Sequence, residues 1–230
     1  MGCGNSTNTG ASAPNAPKSM DIKVVYFDIY GRAEPLRLML HSKKVNFKDE
    51  RVTNEQWAKM KGTPAAGEFN CMPHLWINGK NNQQITSNIR AVGVNLGYYN
   101  QNDAMQAYIA DWSVECWNDF IGAFSKVLFC QDDSKKPDLM KAAMACLDGW
   151  LRQCEEKMNA HKGGFVAGSK VSTGDWVILA TYSGFALNDM NPAQTMVKDI
   201  FDKYPCVKAS ANKGAMMMKS YLDTRPKRPA

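Results

Sequence analysis

The first six residues of the chain, MGCGNS, combine residue types that could accept lipid. Removal of Met1 would expose Gly2, and Ser6 stands where the N-myristoylation pattern requires it. Cys3 lies beside the acceptor and could carry a palmitoyl chain, which would matter because one myristoyl chain gives only marginal membrane binding. The pattern predicts anchoring to the cytoplasmic face of a membrane, with a chance match in a disordered leader as the alternative.

The cysteines and histidines do not have the spacing of a disulfide framework, a CxxC motif or a metal site. The chain has seven cysteines, an odd number, and none are spaced as CxxC. A secreted disulfide framework is therefore not expected, and a reducing compartment such as the cytoplasm is. The three histidines are scattered along the sequence, so we expect no metal site.

The composition bounds the class of protein. The 230 residues are 44% hydrophobic, enough for the cores of one or two domains. No apolar run approaches the roughly 20 residues needed to span a bilayer. The formal charge is +6, but no basic stripe with interleaved aromatics occurs, so no nucleic acid is expected as a partner. Residues 1–19 are largely Gly, Ser, Asn, Thr, Ala and Pro, which predicts disorder.

The elements that must position any site begin with alternating strand and helix patterns. The β-branched and aromatic run 22–27 predicts a buried strand, residues 33–44 a helix with Pro35 in its first turn, and residues 45–52 a second strand. A strand, a helix and a strand in this order predict a parallel pair with a right-handed crossover.

The next elements predict two further strands. Residues 72–77 read as a strand, Asn78-Gly79 as a tight turn, and residues 83–85 as a short strand. A proline that opens a strand predicts a cis bond between Met72 and Pro73. The whole arrangement is that of a thioredoxin-like α/β domain.

Tyr26-Phe27, followed by the segment GRAEPLR at 31–37, resembles the opening of the sigma-, mu- and pi-type cytosolic glutathione transferases. The resemblance extends over residues 22–230. It implies a thioredoxin-like domain at 20–98 that binds glutathione as co-substrate, with no metal, and an all-helical domain at 102–230. It also implies a cytoplasmic homodimer that acts on small hydrophobic electrophiles.

The same resemblance implies the roles of Tyr26 and Arg32. A free thiol titrates near ~8.5, and lowering its pKa by about two units requires about 2.7 kcal/mol of preferential thiolate stabilisation. The phenol of Tyr26 matches the family hydroxyl that donates a hydrogen bond to the glutathione thiolate. Arg32 matches a family arginine that supports the anion, and its alternative is a surface ion pair with Glu34. Tyr30, in the turn, is a competitor for the role of Tyr26.

The resemblance also implies contacts along the rest of glutathione. Trp57 and Lys61 match residues that contact the glycine carboxylate. The backbone of Met72, beside Pro73, matches the segment that pairs with the cysteinyl backbone. Asp119 matches an acidic residue that reaches the glutathione amine of a neighbouring subunit.

This sequence departs from the family pattern around that segment. Asn70-Cys71 replaces the usual Gly-Gln or Gly-Lys, and His74 replaces a small aliphatic residue. The Gln-Ser pair that holds the γ-glutamyl carboxylate has two candidates. A gapless count gives Gln84-Ile85, whereas a shift of two gives Thr86-Ser87, which we prefer because its hydroxyls and N–H groups make a better anion-binding helix start.

The second half of the chain predicts helices. Residues 103–130 and 137–160 each show an amphipathic pattern, and aromatic residues at this spacing are usually core. Ser172 and Asp175 have the spacing of a capping box, which resembles a buried folding motif of the transferase helical domain.

Two functional hypotheses follow. The leading one is a glutathione transferase that activates the thiolate for conjugation or isomerisation of an electrophile. The rival, motivated by Cys71, His74 and the segment 84–87, is a catalytically degenerate homologue that serves as a membrane-tethered or structural subunit. A thiol–disulfide oxidoreductase is disfavoured by the lack of CxxC.

Overall fold

The computed structural model describes residues 21–230 of the chain. Four strands form one mixed sheet in the order β2-β1-β3-β4. Their bounds are Ile22–Phe27 (β1), Lys48–Val52 (β2), His74–Ile77 (β3) and Lys80–Asn82 (β4). β1 pairs in parallel with β2, whereas β3 runs antiparallel to both β1 and β4. The parallel first pair predicted from the sequence is confirmed.

Two of the predicted strands are shorter or displaced. β2 starts at Lys48, because the chain still turns at Lys44, whose φ is 53°, and the N–H of Val45 bonds back to Leu40. The fourth strand was expected at residues 83–85 and lies instead at Lys80–Asn82. The Asn78-Gly79 turn, with φ of 50° and 78°, is so tight that pairing resumes at once.

Three helices accompany the sheet, at Glu34–Ser42 (α1), Asn54–Met60 (α2) and Ile85–Leu96 (α3). Pro35 lies in the first turn of α1, where its missing N–H costs nothing. Thr53 caps α2 through a capping box with Gln56. The first part of the chain is thus a thioredoxin-like arrangement followed by the helices of the second part.

The second part consists of helices joined by loops. Its helices are Ala104–Leu128 (α4), Lys136–His161 (α5), Thr173–Thr181 (α6), Gln194–Asp202 (α7), Pro205–Met217 (α8) and Lys219–Thr224 (α9), with a π-helical segment at Tyr182–Ala186. α4 and α5 match the two long predicted helices to within about two residues. Trp117, Phe120 and Phe124 of α4 are buried in the core, as their spacing predicted.

The capping motif at the start of α6 is buried. The carboxylate of Asp175 accepts hydrogen bonds from the N–H and hydroxyl of Ser172 at 2.9 and 2.7 Å, and from the N–H of Val166 at 2.9 Å. The carboxylate thereby fixes the loop before α6 as well as the helix start.

Gly2 and Cys3 lie outside the described residues, as does the rest of the leader. Within residues 21–230, the helices are all too short or too polar to cross a membrane.

Candidate active site

Tyr26 lies at the end of β1 with only 5% of its surface exposed. Its hydroxyl accepts a hydrogen bond from the backbone N–H of Arg32, with N and O 3.3 Å apart. Gly31, with φ of 42°, allows this approach, because a Cβ there would lie 2.9 Å from the Tyr26 hydroxyl. Burial raises the pKa of Tyr26, opposed by the Arg32 N–H and by the charges of Arg32 and Arg37. The phenol therefore stays protonated at neutral pH and can donate its proton in a hydrogen bond.

Arg32 extends from the β1–α1 turn to the helical part of the chain. Its Nε donates to Oδ1 of Asn118 on α4 at 3.3 Å. Gly122, one turn further along α4, lies beside the guanidinium, and a Cβ there would be in ordinary contact with Nη2, at 3.8 Å. Asn118 was not singled out from the sequence, because a contact across 86 residues leaves no local signal.

The alternatives considered for this turn have other partners. Glu34 is buried and forms ion pairs with Arg37, at 3.3 Å, and with Arg225, so the expected alternative of an Arg32–Glu34 surface pair is wrong. The hydroxyl of Tyr30 donates to the backbone oxygen of Pro226 at 3.0 Å. Tyr30 is therefore occupied structurally, which leaves Tyr26 as the candidate donor to a thiolate.

Arg37 supports the same turn from below. It is fully buried, and its guanidinium donates to the carbonyls of Ile29 and Tyr30 at 3.2 and 3.1 Å and to Asp49 at 3.1 Å. A buried arginine needs partners of this kind, because an unpaired buried charge is costly. The guanidinium of Arg37 thus holds the turn that leads to Arg32 through two of the carbonyl groups in that turn.

The Met72–Pro73 bond is cis, as predicted. Met72 is half-buried and lies two residues before His74, which pairs with Val25 of β1. Within the described chain, no hydrogen bond uses the N–H or C=O of Met72. Both groups are therefore available to an extended peptide at this end of the sheet.

The loop before Met72 is closed by a side chain that the sequence analysis did not single out. Gln83 donates from Nε2 to the carbonyls of Ala66 and Cys71 at 2.8 and 2.7 Å, and its Oε1 accepts from the N–H of Phe69 at 2.8 Å. At Gly67, φ is 73° and a Cβ would lie 2.6 Å from the Gln83 amide. The three hydrogen bonds fix the segment that leads into Met72.

α3 begins two residues earlier than in the register we preferred. Its N-cap is Gln84, with φ of 71°, and its first residue is Ile85, so the gapless count describes the helix start. Thr86 and Ser87 are the second and third residues of the helix, and the expectation that this pair starts it is wrong. In the part of the chain described, the N–H groups of residues 85–87 have no hydrogen-bond partner, which leaves them open to an anion.

Trp57 lies on α2, and Lys61 is the C-cap residue of that helix. The Trp57 ring stands edge-on to Phe27 and His74, with centroids 6.3 and 6.2 Å apart. Lys61 follows α2 and is exposed, without an acidic partner within salt-bridge distance among residues 21–230. Burial lowers the pKa of His74, whose Nε2 is buried without a hydrogen-bond partner. The neutral ring serves as packing for Trp57.

Asp119 is exposed on α4. Burial, together with the charge of Asp119, raises the pKa of the Cys116 and Cys146 thiols. The implied role of Asp119 concerns a neighbouring subunit and stays a prediction. Over residues 21–230, no group of three or more His, Cys, Asp or Glu side chains is arranged to hold a metal ion.

An apolar cavity of about 520 Å³ is lined by Phe27, whose ring centroid lies 5.4 Å from that of Tyr26. The β1–α1 loop, α2, the end of α4, the loop before α7 and the last residues of the chain line it: Phe27, Ile29, Trp57, Phe124, Leu128, Met190, Pro192, Pro229 and Ala230. Such an apolar space beside a few polar groups is typical of a small-molecule site.

The tail, residues 225–230, forms one wall of this cavity. Arg228 pairs with Asp28 at 2.6 Å, and the carbonyl of Pro229 accepts from the N–H of Tyr30 at 2.9 Å. Arg225 pairs with Glu34 and donates to the carbonyl of Ser183 at 2.9 Å. The tail therefore ties the turn before Arg32 to the helical part of the chain.

Comparison with known proteins places this chain in a family. Residues 118–224 match the family model described as the C-terminal domain of glutathione S-transferase. Glutathione S-transferase P of Caenorhabditis elegans is 30% identical over 203 residues, which cover 85% of this chain and 94% of that protein. The structure of prostaglandin synthase D of Nilaparvata lugens is 26% identical, with a TM-score of 0.75, and covers 90% of this chain and 98% of its own. A monomeric glutathione S-transferase of Necator americanus shares the fold at 23% identity and a TM-score of 0.74, covering 90% of this chain and 98% of its own. On the extent and identity of the first of these relatives, the chain belongs to the glutathione S-transferase family.

Proposed function

We propose that this chain is a glutathione transferase. It binds glutathione beside Tyr26, and the glutathione thiolate attacks a small electrophile in the adjoining apolar cavity. The observation that carries the proposal is the buried, protonated Tyr26 hydroxyl, held by the Arg32 N–H at the end of β1. Family membership supports the same reaction.

Tyr26 and Arg32 supply the chemistry at sulfur. The Tyr26 hydroxyl donates a hydrogen bond to the thiolate, and a bond to a charged acceptor is worth about 1.5–3 kcal/mol. That range spans the ~2.7 kcal/mol that lowers the thiol pKa by about two units. The sulfur lone pair then forms an S–C bond, while the leaving group or a polarised double bond of the electrophile takes the displaced electron pair. Arg32, fixed through Asn118, adds positive charge near the sulfur.

Backbone groups would hold the remainder of glutathione. The free N–H and C=O of Met72 suit the cysteinyl backbone, and the free N–H groups at the start of α3 suit the γ-glutamyl carboxylate. Trp57 and Lys61 would contact the glycine carboxylate. Because the turn, the strand end and the helix start are rigid, the thiol is positioned as well as activated.

The test is Tyr26→Phe, with Tyr30→Phe as the matched control. At neutral pH, kcat/KM for conjugation of a chromogenic aryl halide should fall about tenfold to a hundredfold in Tyr26→Phe, because each lost pKa unit is tenfold in thiolate. Tyr30→Phe, which loses a bond to the Pro226 carbonyl, should retain most of its activity. Full activity in Tyr26→Phe would refute the assignment.

The degenerate-homologue alternative is less well supported. Its motives were Cys71, His74 and the segment 84–87, yet His74 is buried, the backbone groups of Met72 and of residues 85–87 have no partner within the described chain, and the Tyr26–Arg32 pair is in place. A degenerate homologue would be retained on glutathione resin and would show no conjugation with any aryl halide or unsaturated carbonyl.

We further propose a homodimer, in keeping with the family, in which Asp119 reaches the neighbouring glutathione amine. One protein of the same fold is described as monomeric, and the oligomeric state is therefore the quantity to measure. Sedimentation equilibrium of the purified chain would decide, and a monomer at micromolar concentration would contradict the proposal.

We also propose that Gly2 is myristoylated and Cys3 palmitoylated, which would attach a cytoplasmic enzyme to a membrane. The support is the sequence pattern alone. Intact mass of protein from its native cells tests it, and a Gly2 terminus without added acyl mass would contradict it.

A further inference from the structure

One end of the sheet carries a concentration of lysines. The sheet register places Lys48 beside Lys23 on β1, and Lys80 opposite Ile77, which itself pairs with Ile22. With strands about 4.8 Å apart, the row from β2 to β4 spans roughly 15 Å. Lys43 and Lys44 follow the last residue of α1 and lie at the same end of the sheet, just before β2. We call these five residues the lysine face.

The charge of this face is only partly neutralised. Glu50 pairs with Lys23 and Lys48 at 3.5 and 2.9 Å, and Asp21 is the second acidic residue nearby. Lys43, Lys44 and Lys80 are exposed, and in the described part of the chain no carboxylate lies within salt-bridge distance of any of them. Five lysines against two carboxylates leave a net positive surface.

The lysine face lies at the opposite end of the sheet from the candidate active site. β1 runs away from it toward Tyr26, which is four residues, or about 13 Å, beyond Ile22. The turn of Arg32 and the start of α3 lie at the Tyr26 end. A surface that contacted the lysine face would therefore leave the glutathione site open to solution.

The chain enters the fold at this same end, at Asp21. The twenty residues before it contain no Asp or Glu, and fully extended they reach at most about 70 Å. So long a tether would not by itself orient the enzyme on a membrane. One myristoyl chain also binds only marginally, and a basic patch is one of the second signals that make anchoring stable.

From these observations we propose that the lysine face docks on a membrane surface rich in anionic lipid, with the glutathione site directed away from the bilayer. The inference rests on the proposed acylation for its anchor, but the contact itself is electrostatic. It therefore predicts dependence on anionic lipid and on ionic strength, since such attraction fades beyond about 10 Å in 0.1 M salt.

The test uses the full chain carrying a myristoyl group on Gly2, added by co-expression with a myristoyltransferase or by ligation of a synthetic leader. Partitioning is measured on phosphatidylcholine vesicles with and without phosphatidylserine. The variant is Lys44→Gln with Lys80→Gln. The matched control is Lys126→Gln with Lys141→Gln, two exposed lysines on α4 and α5 that have no salt-bridge partner among residues 21–230.

On vesicles that contain phosphatidylserine, the Lys44/Lys80 variant should bind about thirtyfold more weakly, which corresponds to about 1 kcal/mol per lysine. The control pair should change binding less than about twofold, because Lys126 and Lys141 lie near the turn between α4 and α5, away from the lysine face. Leu128, the last residue of α4, lines the cavity beside Phe27, at the other end of β1 from that face. On neutral vesicles the three proteins should bind alike. Glutathione conjugation and melting temperature report that both variants are folded and active.

Three results would overturn the proposal: equal losses in both pairs, equal binding of the unsubstituted chain to neutral and anionic vesicles, or tighter retention of that chain on a DNA duplex at matched salt. Because the acyl group is supplied in the test, absence of acylation in native cells would contradict the proposed modification without affecting this result. Absence of conjugation would likewise bear on the enzymatic proposal alone.

Discussion

Gln83 gives the sharpest test of how this chain forms its glutathione site. One amide makes three hydrogen bonds of 2.7–2.8 Å that close the loop from Ala66 to Cys71. It stands next to Gln84, the N-cap of α3, so it links the two segments proposed to bind the glutathione backbone and carboxylate. The perturbation is Gln83→Met, which keeps the length of the side chain and removes all three bonds.

The magnitude follows from the bonds and from the exposure of the loop. Each bond contributes about 1 kcal/mol net, or about 3 kcal/mol in total. Water can reach much of the released loop, since Phe69 is 53% exposed, so global stability should fall by only about 1 kcal/mol. The rest of the lost free energy weakens glutathione binding, because glutathione must then order the loop that leads into Met72. A cost of about 1–2 kcal/mol raises KM for glutathione about fivefold to thirtyfold.

The assay separates positioning from chemistry. Initial rates are measured with glutathione varied at saturating aryl halide, and then with the aryl halide varied. In Gln83→Met, kcat at saturating glutathione should stay within about twofold, because Tyr26 lies on β1 and Arg32 in the turn that follows it, away from the Ala66–Cys71 loop. Calorimetric binding of glutathione should weaken by the same factor as KM.

Two further variants sharpen the result. Gln83→Glu keeps the acceptor for Phe69 and loses both donated bonds, so it should raise KM at least as much. Gln101→Met, at an exposed glutamine without a side-chain hydrogen bond within the described chain, controls for the substitution itself. An unchanged glutathione KM in Gln83→Met, or a fall in kcat alone, would refute the reasoning.

Three other outcomes test separate parts of the structure. Asp175→Ala should destabilise the fold by about 3 kcal/mol in urea titrations, because buried N–H groups including that of Ser172 lose their acceptor, whereas the exposed Asp199→Ala should cost under about 0.5 kcal/mol. Arg228→Ala should loosen the tail and raise KM for an apolar electrophile a few-fold, with little change in stability or in glutathione KM, since exposed ion pairs are worth about 0–1 kcal/mol. Burial raises the pKa of Tyr26, so kcat/KM should rise with thiolate formation and then stay level to about pH 10; a decline from about pH 8 would contradict the buried donor.

Local patterns predicted most of the elements. β1, α1, the Asn78-Gly79 turn and the two long helices follow from hydrophobic period and turn chemistry, which are local properties. β4 escaped prediction because its residues, Lys80–Asn82, have low strand propensity and are held by pairing with β3. Pairing with a neighbouring strand, and not local sequence, determines where such a strand forms.

The residues of the candidate site also differ in how far the sequence could identify them. Tyr26 and Arg32 could be chosen because they match the family pattern, and the structure joins them through one hydrogen bond. Asn118, Gln83 and the tail could not, because their contacts connect segments distant in sequence. The start of α3 was placed wrongly because we favoured side-chain hydroxyls, whereas the positive φ of Gln84 sets the helix start.

The departures from the family pattern fall on side chains where the candidate site depends on backbone. Cys71 replaces an amide side chain, yet the function of that segment is carried by the N–H and C=O of Met72, which stay unpaired within the described chain. Ile85 replaces a hydroxyl and is buried, but the N–H groups of the first turn of α3 still point out of the helix start. What is lost is a charge-assisted hydrogen bond to a carboxylate, worth about 1.5–3 kcal/mol. Weaker glutathione binding with intact thiolate activation is therefore the expected consequence, and it appears in KM rather than in kcat.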